Sequence, residues 1–113
     1  MKKGFYQIKY EITRNYYIYL NGDKYTPEQS AGRCYDDFYE EIENEGIESI
    51  IAISTIIGLL VSNDGKVGKD EYNDIKMILH LYENIDISEY LNESECEYLQ
   101  DDMRWLSEYY KKI

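Results

Sequence analysis

The sequence is poor in several residue types that would otherwise suggest a chemical function. It has one proline, one histidine and two cysteines in 113 residues, and only 12 basic side chains against 23 acidic ones. With a single histidine, and with cysteines at no metal-ligand spacing, the chain shows no catalytic or metal-binding pattern. It also lacks a glycine-rich phosphate loop. We therefore expect no enzymatic activity, no cofactor and no metal.

Long apolar runs are also missing, so no segment is expected to cross a bilayer. The first residues, MKKGFYQIKYEI, begin with charge but contain no uninterrupted apolar stretch of the signal-peptide kind. We expect a cytoplasmic protein without a membrane partner. Cys34 and Cys96 fall on the apolar faces of predicted helices. This placement favours two buried free thiols in a reducing compartment, with a single disulfide as the alternative.

Negative charge is what the chain has in abundance, with a formal net charge of −11. Residues 27–46 carry seven acidic side chains and one basic one, and residues 83–102 carry eight acidic and no basic ones. Such a surface repels nucleic-acid phosphates and anionic lipids and attracts a basic protein. Tyrosine, which occurs fourteen times, is enriched at protein interfaces. Solubility alone is the competing explanation of the charge.

Capping signals and apolar periodicity predict an all-α fold, a single domain of residues 1–113 with about five helices. Thr26, Pro27 and Gln29 begin a helix that should continue to Gly46. Its predicted inner stripe is Ala31, Cys34, Tyr35, Phe38 and Ile42. Residues 47–62 are apolar nearly all round, which predicts a buried central helix. A further helix should follow the Asp-Gly link, and the last one should begin after Asn92 and carry an apolar seam from Cys96 to Ile113.

The first 20 residues fit two patterns. The alternation of Ile8, Tyr10 and Ile12, followed by the pair Asn21-Gly22, is typical of a β-hairpin. On a helix, one apolar stripe would be formed by Phe5, Ile8, Ile12, Tyr16 and Tyr19. Because a lone pair of strands would have no sheet to join, we favour a helix.

The stretch LVSNDGKVGKDEY, Leu60–Tyr72, resembles the second half of an EF-hand calcium loop. With Gly65 at position 6 of that loop, Asp64 and Glu71 fall on ligand positions 5 and 12. Position 1 would be Leu60, which cannot bind a hard cation, and position 9 would be Gly68. We interpret the stretch as a link between helices, with Gly65 in the left-handed conformation. A weak calcium site is the alternative.

Two family resemblances can be stated. The order YEITRNYYIYLNGDKYTPEQSAGRCYDDFYEEI, then IESIIAISTIIGLLVSNDGKV, resembles an all-helical family of bacterial immunity proteins over about residues 10–80. Those proteins neutralise the toxic domains of polymorphic toxins, so the resemblance implies a non-enzymatic inhibitor of a cognate toxin domain. Separately, LLVSNDGKVGKDEY is similar to the helix–Asp-Gly–helix signature of the tellurite-resistance and DnaJ-like co-chaperone helical domain.

Many such toxins are nucleases with basic clefts, and an acidic helical face bearing tyrosines can occupy such a cleft. A phage anti-CRISPR protein, or another acidic mimic of nucleic acid, would share these features. A structural or metal-sensing helical module is a further alternative. We predict that the partner contacts one of two groups, or parts of both, and we favour the first, which lies on the predicted helix from Glu28 to Glu45. The first acidic set is Asp36, Asp37, Tyr39, Glu40 and Glu43. The second acidic set is Glu89, Tyr90, Glu93, Glu97 and Asp101.

Overall fold

The computed structural model describes residues 3–113, and within them it contains helices and no β-strand. The helices are α1 (Phe5–Tyr17), α2 (Pro27–Asp37), α3 (Tyr39–Glu43), α4 (Ile47–Ser62), α5 (Lys69–Glu83) and α6 (Glu93–Lys112). A π-helical turn, Ile18–Gly22, extends α1, and a 3-10 turn, Ile87–Glu89, precedes α6. The radius of gyration is 13.2 Å, close to the value of about 13 Å expected for one domain of this length. The prediction of an all-α single domain is confirmed.

The centre of the bundle is α4, against which the other five α-helices pack. Ile50, Ile53 and Ile56 are fully buried, as is most of the rest of this helix. Its continuous apolar sequence follows from this position, because a helix with neighbours on most sides has no polar face to present. The prediction of a buried central helix over residues 47–62 is confirmed.

The N-terminal segment is a helix, as favoured above, and not a hairpin. Phe5, Ile8, Ile12 and Tyr16 form its buried stripe. The hydroxyl of Tyr16 donates a hydrogen bond to the carbonyl oxygen of Pro27, 3.2 Å away, which ties α1 to the start of α2.

The single helix predicted from Thr26 to Gly46 is wrong in its second half. Its capping box is present, but α2 ends at Asp37 and the short α3 begins at Tyr39. Between them Phe38 has φ −113° and ψ 30°, outside the helical region. The change of direction keeps Phe38 buried, 2% exposed, while α3 packs along α4. Periodicity did not reveal the break because the stripe of apolar residues continues through it.

Left-handed backbone occurs at Lys24, Glu45 and Asp64, and at no glycine of residues 3–113. Glu45, with φ 51°, turns the chain before α4, whereas Gly46 is extended and caps that helix. After α4, Asp64 has φ 62°, and the prediction that Gly65 is left-handed is wrong. Gly65 is required for space instead. A Cβ there would lie 2.3 Å from Leu60 Cδ1 and 2.9 Å from the Leu60 carbonyl oxygen.

The stretch that resembles a calcium loop joins α4 to α5. The Glu71 carboxylate accepts a hydrogen bond from the Gly68 amide at 3.0 Å, which is the only side-chain cap at the start of α5 because glycine has no side chain of its own. The Lys66 amide donates to Glu28 Oε2 at 2.7 Å, which fastens the link to α2. Residues 3–113 contain no group of three or more histidine, cysteine, aspartate or glutamate side chains arranged to hold a metal ion.

Both cysteines are free thiols, as favoured. Cys34 is fully buried, whereas Cys96 is only half-buried, so the prediction that both are buried holds for the first alone. None of the helices between residues 3 and 113 has the length and apolar composition needed to span a membrane.

Candidate functional site

The first acidic set is exposed but divided by the break at Phe38. Asp36 and Asp37 lie on α2, and the remaining members lie on α3. Asp37 accepts hydrogen bonds from the Tyr19 hydroxyl and from Asn15 Nδ2, the latter at 3.3 Å. The contact with Asp37 raises the pKa of Tyr19. Asp37 therefore holds α2 against the end of α1 and is not a free surface carboxylate.

The second acidic set occupies a different part of the molecule. Glu93, Glu97 and Asp101 are exposed and follow one another at four-residue spacing along α6. Glu89 and Tyr90, also exposed, lie at the 3-10 turn before that helix. The two acidic sets thus lie on separate helices.

Exposed apolar side chains are concentrated on one surface that sequence reasoning did not predict. Of the nine large apolar side chains that are exposed in residues 3–113, six lie on the outer sides of α1, α6 and the π turn. We call these six the aromatic face: Tyr6, Tyr10, Tyr17, Ile18, Tyr98 and Trp105. A concentration of exposed apolar side chains of this kind is typical of a binding surface.

The α1 and α6 parts of the aromatic face touch at the N-terminal halves of these helices, which run in the same direction. The rings of Tyr6 and Tyr98 make an edge-to-face contact with centroids 5.9 Å apart. One turn further along both helices, Lys9 Nζ lies 2.7 Å from Asp102 Oδ2. Next to this ion pair, a groove lies between the two helices.

The groove has α4 as its floor and a volume of about 300 Å³, at the lower end of the range for ligand pockets. Ser54, Gly58 and Ser62 form the floor, with Thr13 of α1 on one side and Trp105 of α6 on the other. These three small residues are spaced four apart on α4, so no large side chain fills the space above them.

The polar atoms lining the groove are mostly acceptors of hydrogen bonds. The Ser54 and Thr55 hydroxyls both donate to the Ile51 carbonyl oxygen, at 3.2 and 2.7 Å, and the Thr13 hydroxyl donates to the Lys9 carbonyl oxygen at 2.7 Å. Because each of these three hydroxyls has one proton, each offers a ligand only its oxygen lone pairs. Lys9 Nζ uses one of them, donating to Thr55 Oγ1 at 3.2 Å.

A second hollow lies beside the groove and shares Thr13 with it. Tyr10, Tyr17 and Ile18 line it, together with Arg14, whose guanidinium lies 6.0 Å from the centre of the Tyr10 ring. Groove and hollow together form one depressed, aromatic surface across α1.

Comparison with known protein families, curated proteins and solved structures found no match for this chain. The site is therefore interpreted from its own geometry. A sequence signal for it existed, since Tyr6, Tyr10 and Tyr17 repeat at helical spacing opposite the buried stripe of α1. Tyr98 and Trp105 also lie at helical spacing, away from the buried stripe of α6. Nothing in the sequence indicates that the two stripes are neighbours.

Proposed function

We propose that this chain is a non-enzymatic inhibitor of the immunity-protein type, which binds and neutralises a basic toxin domain, most simply a nuclease. The observation that carries the proposal is the aromatic face together with the carboxylates that border it on α6. Tyr98 and Trp105 are 55% and 41% exposed. Glu97 and Asp101, both exposed, adjoin them along the same helix.

This combination supports protein binding on physical grounds. Tyrosine and tryptophan supply large, rigid contact areas, and they are enriched among the residues that dominate binding energy. Carboxylates around such anchors speed the encounter with a basic partner and select against acidic ones. The net charge of −11 acts in the same direction.

The proposal assigns the partner contact to the second acidic set and so departs from the expectation from the sequence, which favoured the first. Glu93, Glu97 and Asp101 lie on the helix that also carries Trp105, so charge and aromatic area are available to one partner. In the first set, Asp37 is bonded to Tyr19 and Asn15 of other elements, whereas in the second set Asp101 pairs only with exposed Arg104 of its own helix. Tyr39 is the only exposed large apolar side chain on α2 or α3.

The test is to express this chain together with the product of the adjacent gene. We expect the chain to restore growth if that product is toxic, and to co-elute with it in size-exclusion chromatography. The association rate should fall as salt rises, because exposed charges are screened beyond a Debye length of about 8 Å at 0.15 M.

Charge reversals locate the contact. The double variant Glu97→Lys, Asp101→Lys should slow association by about tenfold or more, as removal of electrostatic steering does. Glu40→Lys, Glu43→Lys is the matched control, since it makes the same change of charge on α3 and should leave the rate nearly unaltered. If the two double variants slowed association equally, the rate would depend only on the net charge of the protein and not on the position of the carboxylates. Enzymatic turnover by the purified chain would contradict the proposal.

A second candidate, a mimic of nucleic acid, is favoured by the row of carboxylates along α6. Glu93, Glu97, Asp101 and Glu108 follow one side of this helix, which Arg104 interrupts by pairing with Asp101 at 3.1 Å. A mimic should compete with DNA for several unrelated DNA-binding proteins, whereas a toxin-specific inhibitor should bind one.

A further inference from the structure

We propose that the groove between α1 and α6 receives an arginine side chain of the basic partner, with its guanidinium stacked on Trp105 and hydrogen-bonded to Asp102. This inference rests on the proposed function for the identity of the partner, but the groove chemistry behind it is independent of which protein carries the arginine. Four observations support it.

The first observation is that this end of the groove already holds a cation. The Lys9 ammonium donates to Asp102 Oδ2 and to Thr55 Oγ1, at 2.7 and 3.2 Å, and lies 5.6 Å from the centre of the Phe5 ring. A carboxylate, a hydroxyl oxygen and an aromatic ring around one ammonium are a cation site built by the protein itself.

The second observation is that Lys9 leaves several hydrogen-bond acceptors in the groove without a donor. Asp102 Oδ1 has no hydrogen-bond partner among residues 3–113, and the Ser54 and Thr13 hydroxyls offer lone pairs because their protons go to backbone carbonyls. All three side chains line the groove. An incoming group that is rich in donors and has no acceptor matches this lining, and guanidinium has five N–H donors and no acceptor.

The third observation is the tryptophan. Trp105 is 41% exposed, and Tyr109 stacks on it with ring centroids 5.3 Å apart and planes inclined by 8°. Such a stacked pair holds the indole in place at the wall of the groove. A planar guanidinium stacks on an aromatic face better than a compact ammonium does, so arginine is favoured over lysine.

The fourth observation concerns space and charge. A Cβ built on Gly58 would meet no atom within 4 Å, so the floor of the groove is open. The Lys9 charge is balanced by Asp102, and an added arginine would enter a protein whose net charge is −11. Lys9 competes with the arginine for Asp102, so the proposal predicts tighter arginine binding when Lys9 is removed.

The test uses the fluorescence of Trp105, which is the only tryptophan in the chain. The probes are a seven-residue polyarginine amide and its polylysine counterpart, titrated at about 0.15 M NaCl to suppress non-specific attraction. We expect a saturable change in emission with polyarginine and binding about tenfold weaker with polylysine, a gap of the size expected for stacking plus forked hydrogen bonds. Equal affinity for the two peptides, or no saturable change, would overturn the proposal.

Filling the groove separates specific from general binding. Gly58→Leu places a side chain in the open floor, and leucine is the better helix former, so the fold should persist. The matched control is Gly32→Leu on α2, where a Cβ also meets nothing within 4 Å. Both variants are checked by helical circular dichroism. Gly58→Leu should weaken polyarginine binding by about tenfold or more, the loss of roughly one anchoring contact, and Gly32→Leu should not. Unchanged binding by Gly58→Leu would refute the groove as the site.

Removing Lys9, which competes for Asp102, should give a variant that binds polyarginine more tightly. Lys9→Ala frees the second oxygen of Asp102 and should tighten polyarginine binding more than Lys76→Ala, which removes an exposed lysine of α5. Asp102→Asn should weaken it. If Lys9→Ala and Lys76→Ala act equally, only total charge matters and the site is excluded.

The two proposals can fail separately. If the adjacent gene product binds wild type and Gly58→Leu equally well, the proposed function survives and the arginine site does not. If polyarginine binding depends on Gly58 but no basic toxin is neutralised, the site survives and the function fails.

Discussion

Two glycines near the end of α4 should respond in opposite ways to alanine. Gly58 lies within α4, and Gly65 lies in the link after it. Neither has a positive φ, so alanine meets no backbone strain of the left-handed kind at either position. The difference between them lies in what a methyl group would touch.

Gly58→Ala should stabilise the protein. No atom lies within 4 Å of the added Cβ, and alanine is favoured over glycine in a helix interior by about 0.8–1.0 kcal/mol. The unfolding entropy of a chain of this length is roughly 0.24 kcal/mol per kelvin. A gain of about 1 kcal/mol therefore corresponds to a rise in the melting temperature of about 4 °C.

Gly65→Ala should destabilise it. The new Cβ would lie 2.3 Å from Leu60 Cδ1, 2.9 Å from the Leu60 carbonyl oxygen and 2.9 Å from Pro27 Cβ. The leucine methyl can rotate away, but the carbonyl belongs to the backbone. It also accepts the Gly65 amide at 2.8 Å, which closes the end of α4. Overpacking of this kind costs about 1–3 kcal/mol, so the melting temperature should fall by about 4–12 °C.

The assay is thermal and urea unfolding followed by helical circular dichroism, with both variants compared in one buffer. Opposite signs are the expected result. If Gly65→Ala matched wild type, the close approach of Leu60 and Pro27 would not exist in solution. A loss of stability in Gly58→Ala would show that the groove above α4 is closed, and would remove the space on which the arginine site depends.

Three other predictions follow from single groups. Burial, with the neighbouring Glu71 and Asp70 charges, raises the pKa of Asp74, so the native state holds that proton more tightly and stability falls as pH rises through the raised pKa. Asp74→Asn should therefore raise the melting temperature at about pH 7 and change it little at about pH 3, below the unfolded pKa; equal shifts at both would refute this. Burial raises the pKa of the Cys34 thiol to about 12, so a thiol reagent should label half-buried Cys96 first, as peptide mass spectrometry can check. Calcium should bind the 60–72 stretch weakly, and a dissociation constant at or below about 10 µM by calorimetry would contradict that reading.

The amino-acid sequence by itself determined where most of the helices begin and which helix is central. Thr26 with Gln29, and Asn92 with Glu95, form capping boxes at two helix starts that the sequence predicted. These signals can be read without the fold, because each involves hydrogen bonds between residues three positions apart. The central position of α4 could also be predicted, since only a surrounded helix has an apolar residue at nearly every position.

Tertiary packing decided where the predicted helix breaks, which residue is left-handed and which surface carries the aromatic face. Phe38 breaks its helix where periodicity predicts continuity, because α3 packs along α4. After α4 the left-handed residue is Asp64 and not Gly65, and the glycine is needed instead for the close approach of Leu60 and Pro27. The aromatic face shows this dependence most clearly. Its stripes on α1 and α6 are each visible in the sequence, but about ninety residues separate them along the chain. A binding surface exists only where the two stripes lie side by side, and their packing against α4 places them so.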